Sequence, residues 1–99
     1  MEKRFDISDF VKVNTIQSIT IGLVNRVKKL RKAKKLTQKT LSLKSGVSYA
    51  SLRRFESSGE ISLFSLLKIA NALNCLEDFN ALFKGVVVSD LKNFNPYND

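Results

Sequence analysis

The sequence predicts an all-α fold of five short helices, and three observations carry that expectation. Apolar residues recur at three- and four-residue spacing in successive stretches, hydroxyl or Asn residues and glycines punctuate those stretches, and the chain holds only four Gly and one Pro. Ninety-nine residues suit one compact core with short tails. The expected organisation is an N-terminal arm over 1–17, a helical domain over 18–84 and a C-terminal tail over 85–99.

In the arm, Phe5, Ile7, Phe10 and Val11 suit a short helical turn packed on the body. Ser18 can cap a first helix in which Ile19, Leu23, Val27 and Leu30 recur at helical spacing, with Arg26, Lys28, Lys29, Lys32 and Lys35 on other faces. Thr37 caps a second helix of barely two turns, centred on Leu41 and stopped by Gly46. Ser48 caps a third, whose Leu52 and Phe55 face inward while Tyr49, Ala50, Ser51, Arg53 and Arg54 face outward. A loop at Ser57–Ser58–Gly59 closes it. Ser62 opens a fourth helix, with Leu63, Leu66, Leu67, Ala70 and Leu73 as the widest apolar stripe and Asn74 at its end. A fifth places Glu77 and Asp78 in its first turn, where the helix dipole favours negative charge, and carries Leu76, Phe79 and Phe83 up to a break at Gly85. Val86–Val87–Val88 is left either without structure or as a strand paired with another chain.

The charge is +8, and its distribution says more than its size. No acidic residue occurs between Phe10 and Phe55, while eleven of the seventeen Lys and Arg fall within Arg26 to Arg54. Such a field attracts polyanions and releases counterions from nucleic acid, which ranks above an anionic membrane surface as a partner. One Cys and no His exclude an internal disulfide and an ordinary zinc site, so no metal or other cofactor is expected, and Cys75 reads as a small core or boundary residue. A reducing cytoplasm fits that cysteine usage. No apolar run approaches the ~20 residues of a membrane span, and the N-terminus does not lead into a secretory apolar segment. There is no Gly-rich phosphate loop and no His or paired-carboxylate cluster, so the chain does not read as an enzyme.

The strongest constellation lies near residues 37–57. A helix-turn-helix needs a small residue where its helices cross, a glycine at the turn and apolar anchors that fix the second helix at a steep angle. Counting Gln38 as position one, Leu41 is fourth, Ser42 fifth, Gly46 ninth, Val47 tenth, Leu52 fifteenth and Phe55 eighteenth. Leu36-Thr37-Gln38, Ser45-Gly46-Val47-Ser48, Arg54-Phe55-Glu56 and Ser62-Leu63 together resemble the Xre-type, phage-repressor-like helix-turn-helix family over about residues 19–83.

The resemblance implies a five-helix, repressor-like helix-turn-helix domain that binds double-stranded DNA. It places Gln38 against phosphate and Ser48, Tyr49, Ala50, Ser51, Arg53 and Arg54 in the major groove. Arginine suits that role because a guanidinium can bond O6 and N7 of guanine together. Tyr49 and Ala50 stand where some members carry adenine-reading glutamines, so no operator sequence carries over from the family. Blander readings stand beside these: Arg53 as a solvated surface charge, Tyr49 packed on the first helix, Gln38 as an ordinary helix-start residue and Lys28 to Lys35 as a solvated face. Arg31 and Glu56 match a family ion pair that braces the first helix against the third, while Ser42 departs from the commoner alanine, at some expense of stability. One helix-turn-helix makes too few contacts for a unique site, so a homodimer on inverted half-sites is expected, and the sequence offers Leu82, Phe83 and Val86–Val88, apolar and away from the reading helix, as its interface. The run Arg54-Phe55-Glu56-x-x-Gly59-x-x-Ser62-Leu63 with the terminal Leu76-to-Phe83 segment looks like the antitoxins of HipA-type kinase toxins, which repress their own operons. A stand-alone repressor, or an interaction adaptor that no longer binds DNA, are the alternatives.

Overall fold

Residues 14–85 are described by the computed structural model, and they form four α-helices and a closing 3₁₀ helix, with no strand among them. The helices are α1 (Ile16–Ala33), α2 (Gln38–Ser45), α3 (Tyr49–Ser58) and α4 (Leu63–Ala72), and the 3₁₀ helix spans Leu76–Ala81. The expected arm residues Phe5, Ile7, Phe10 and Val11, and the Val86–Val88 run, lie outside the described residues.

Each α-helix begins on a hydroxyl side chain that accepts the N–H three residues on. Thr37, Ser48 and Ser62 do so for α2, α3 and α4, each at 3.0 Å, and such caps are worth about 0.5–2 kcal/mol apiece. For α1 the cap is Thr15 and not the expected Ser18. Thr15 Oγ1 accepts from the Ser18 N–H at 2.9 Å while Ser18 Oγ accepts from the Thr15 N–H at 3.0 Å, a reciprocal capping box. Ser18 is thus the third residue of the helix, which starts inside the stretch expected to be arm.

The C-termini use left-handed residues. Gly46 (φ 80°) and Gly59 (φ 84°) stop α2 and α3. Beyond α1 and α4, Lys35 (φ 59°) and Asn74 (φ 63°) make the turn, and the following N–H of Leu36 or Cys75 returns to the carbonyl of Arg31 or Ala70. Of the expected loop Ser57–Ser58–Gly59 only Gly59 lies outside the helix, and the connection to α4 runs over residues 59–62. The Ser57 and Ser58 hydroxyls donate to the Arg54 carbonyl at 3.2 and 2.8 Å, which keeps both serines in the helix.

The core joins Val24 of α1, Leu41 of α2, Val47 of the turn, Leu52 and Phe55 of α3, Ile69 and Ala70 of α4, and Leu73, which caps α4. α2 sits centrally, packed on α3 and α4, with α1 against α3 and the 3₁₀ helix against α4. Two apolar stripes are shifted from expectation. In α1 the buried apolar residue is Val24, with Leu23, Val27 and Leu30 partly buried around it and Ile19 53% exposed. In α4, Ile69 is fully buried and Leu63 is 64% exposed, because the helix meets the core through its last two turns.

The fifth element departs furthest. It is 3₁₀ rather than α, its N-cap Cys75 offers no side-chain hydrogen bond, and it stops at Ala81, well before Gly85. Six residues without a cap do not sustain an α-helix, and the tighter winding breaks the i, i+3, i+7 alignment. Phe79 still lines an apolar groove of about 370 Å³ with Leu23, Val27, Leu66 and Leu82, whereas Phe83, left-handed at φ 62°, is almost wholly exposed. Cys75 lines the same groove, where burial, with Asp78 nearby, pushes its thiol up and keeps it protonated. No helix among the described residues is long and apolar enough to cross a membrane.

The two left-handed glycines differ in surroundings. A Cβ at Gly46 would meet open space, whereas one at Gly59 would collide with the Thr20 γ-methyl of α1. Gly46→Ala is expected to cost about 1–2 kcal/mol of left-handed strain, and Gly59→Ala that amount plus about 1–3 kcal/mol of overpacking. Thr20→Ser removes the obstructing methyl and keeps the hydroxyl bonded to the Ile16 carbonyl, so in urea unfolding it should recover part of the Gly59→Ala loss and none of the Gly46→Ala loss.

Candidate nucleic-acid interface

The turn between α2 and α3 fixes how α3 is presented. Gly46 reverses the chain, Val47 is buried directly after it, and Leu41, Leu52 and Phe55 lock the two helices together at 0–1% exposure. Ser42 tightens this corner. Its hydroxyl donates to the Val47 carbonyl at 2.6 Å, while the Ser45 hydroxyl accepts from the Val47 N–H at 3.1 Å. A serine in place of the commoner alanine therefore satisfies a half-buried carbonyl, and that bond offsets the stability loss expected of it.

Behind α3 lies a buried polar network. Arg31 of α1 meets Glu56 of α3 fork to fork: Nε donates to Oε2 at 2.8 Å and Nη2 to Oε1 at 2.9 Å. Arg31 Nη1 also donates to the Leu36 carbonyl at 2.9 Å, and Gln38 Nε2 donates to Glu56 Oε1 at 2.8 Å. One cluster thus ties the end of α1, the turn after it, the start of α2 and the last turns of α3. Both charged residues are only 7% exposed. Burial pushes the Glu56 carboxyl up, but the hydrogen bonds from Arg31 and Gln38, with the charges of Arg31 and Lys28, outweigh that and hold it below the usual carboxylate value. Gln38, for which the resemblance implies a phosphate contact, has its side-chain amide joined to this brace.

With Leu52, Phe55 and Glu56 turned inward, Ser48, Tyr49, Ala50, Ser51, Arg53 and Arg54 are all exposed. The structure divides them. Ala50, Arg53 and Arg54 line an open cleft of about 740 Å³ between α1 and α3, together with Lys28, Lys32 and Gln38 and with Arg31 and Glu56 behind them. Ser51 lies in a neighbouring concavity with Arg54 and Glu60, and the Ser48 hydroxyl is spent on capping α3. Two cations approach the Tyr49 ring, with Lys39 Nζ 5.8 Å and the Arg53 guanidinium 5.6 Å from its centroid.

Three participants escaped the sequence reading. Lys28 and Lys32 were expected to contribute only to the general field, yet they share the cleft with Arg53 and Arg54. Their signal was present, since Lys28 and Lys32 are four residues apart and so share one helical face. Glu60 carries an ion pair to Arg54 from beyond the Gly59 turn, and no periodicity points to it.

The corner at Gly46, the buttressed α3 and its basic outward face define a helix-turn-helix domain of the DNA-binding regulatory class. A family model described as Helix-turn-helix (HTH_3) matches residues 27–79, more than half of the chain, and the protein belongs to this Xre-like family. No curated protein and no solved structure matches the chain.

Removing either partner of the brace leaves an uncompensated buried charge, so Arg31→Ala and Glu56→Ala should each lower unfolding free energy by about 3–5 kcal/mol in denaturant titration. Because Glu56 ionises more readily folded than unfolded, its contribution is complete above the ordinary carboxylate value of about 4.3 and is lost as pH falls through the lower, folded value. The decline of wild-type stability below that pH should be shallower in Glu56→Gln, and equal slopes would contradict the assignment.

Proposed function

We propose that the protein is a sequence-specific transcriptional repressor that lays α3 in the DNA major groove and binds as a homodimer to inverted half-sites about 34–36 Å apart. The observation that carries this reading is a buttressed helix whose outward face is basic: Tyr49, Ala50, Arg53 and Arg54 stand exposed on α3 while the buried Arg31–Glu56 pair, joined by Gln38, ties it to α1 and α2. Arg53 and Arg54 read guanine, the Ala50 methyl packs in the groove, and Tyr49 bonds phosphate or covers a thymine methyl. Ser48, Ser51 and the start of α2 at Gln38 lie along the phosphates, and Lys28 and Lys32 supply sequence-independent attraction. Two copies join through Leu82 and Phe83, which are 54% and 98% exposed.

The narrower reading, an antitoxin that represses its own operon and restrains a HipA-type serine/threonine kinase, is supported by the resemblance of the run from Arg54 to Leu63. Co-purification of a kinase with the protein from its source cell favours it. A repressor that purifies alone favours a stand-alone regulator of another operon.

The test is binding to duplex DNA from upstream of the protein's own gene and to a scrambled duplex across a salt series. The native duplex is expected to bind more tightly, with a two-fold footprint, and Arg54→Ala should reduce that preference roughly five- to 150-fold, the equivalent of one bidentate contact. Lys28→Ala should weaken both duplexes alike and make the slope of log affinity against log salt shallower by about 0.9. Equal binding to both duplexes, weakening only with salt, would instead describe an adaptor whose charge serves another partner.

A further inference from the structure

The one exposed acidic residue between Phe10 and Leu76 is Glu60, since Glu56 is buried in the brace. An exposed carboxylate beside a basic reading helix opposes the approach of a polyanion, so its position calls for a reason. It does not lie in its own contribution to the fold, because exposed ion pairs add little stability, and the Arg54 and Glu60 side chains are 69% and 63% exposed.

The geometry supplies one. Arg54 Nε donates to Glu60 Oε1 at 3.0 Å, and Nη2 donates to the same oxygen at 2.5 Å. Glu60 is held in turn, because its backbone N–H donates to Ser58 Oγ at 3.2 Å, whose hydroxyl donates to the Arg54 carbonyl at 2.8 Å. Arg54, Ser58 and Glu60 thus form a closed ring around the left-handed turn at Gly59. A guanidinium has two edges that can grip a planar acceptor pair, Nε with Nη2 and Nη1 with Nη2. Glu60 occupies the first and leaves the second, the end-on edge that matches O6 and N7 of guanine.

We infer that Glu60 is a specificity-determining positioning residue: it holds Arg54 with its end-on edge free for a guanine and repels the phosphates that would otherwise capture that side chain. The inference rests on the DNA-reading function proposed above. An unpaired Arg54 would gain attraction for any duplex and lose its fixed aim, so Glu60 exchanges general affinity for discrimination.

The experiment uses the full chain and duplexes selected by the wild-type protein from a random pool. The base pair read by Arg54 is the one at which Arg54→Ala loses preference, and affinities are then compared for the selected duplex and for one altered at that base pair. Glu60→Gln is expected to bind the altered duplex more tightly than wild type does, to discriminate at that base pair roughly five- to tenfold less well, and to keep its thermal midpoint. The double variant Arg54→Ala/Glu60→Gln should discriminate no worse than Arg54→Ala alone. If Glu60→Gln tightens both duplexes equally and leaves the ratio intact, Glu60 is only an opposing charge and the inference is overturned. If wild type selects no sequence from the pool, the reading function itself fails and the inference falls with it.

Discussion

The structure depends on the buried contact between Arg31 and Glu56. Two charges withdrawn from water are costly, and they are tolerated here because a two-point geometry and further hydrogen bonds from Gln38 and to the Leu36 carbonyl satisfy their remaining polar atoms. That demand leaves little freedom. α1 must end with Arg31 facing α3, the chain must turn at Lys35 so that Leu36 offers its carbonyl, and α2 must begin at Gln38. An apolar contact of the same size would hold the helices together but would permit sliding. The directional network sets one crossing arrangement, and the angle of α3 follows from it.

What the brace fixes, the surface uses. Inward-turned Leu52, Phe55 and Glu56 leave one face of α3 outward, and Lys28 and Lys32 of α1 extend that face across the cleft. The apolar groove between α1, α4 and the 3₁₀ helix has no lining residue from α3. The same small core therefore carries a basic surface and a separate apolar one, so contacts to a polyanion and contacts between protein chains need not compete. On the basic surface, Lys39 and Arg53 have the Tyr49 ring beside them and Arg54 has Glu60, so these cations are positioned by neighbours.

Local rules made much of this legible. Hydroxyl caps at Thr37, Ser48 and Ser62 and the stop at Gly46 follow from chemistry acting over three or four residues, and they are visible in the sequence for that reason. The cap of α1 was missed because Thr15 and Ser18 cap each other, and either alone satisfies the same rule. The inward stripes of α1 and α4 shifted because periodicity defines a face only to within one residue, and tertiary contact with Phe55 and Leu41 decides which residue goes deepest. The last element lost its α-helical form for want of a capping hydroxyl at Cys75. Contacts between distant parts of the chain were the least visible. The pairing of Arg31 with Glu56, 25 residues on, is marked only by family resemblance, and the links from Glu60 to Arg54 and from Gln38 to Glu56 leave no periodic trace.

The central claim is that the exposed face of α3, held by the brace, is the surface that meets DNA. Nuclear magnetic resonance of the isotope-labelled protein, observing backbone amides and arginine side chains during titration with a duplex selected from a random pool, addresses it most directly. Shifts are expected to concentrate at Gln38, Tyr49, Ala50, Arg53 and Arg54 and at the Lys28 and Lys32 edge of the cleft, with the Arg31–Glu56 signals little changed. Shifts confined to the Leu23–Leu66–Phe79 groove, or spread evenly over every lysine and arginine, would contradict it.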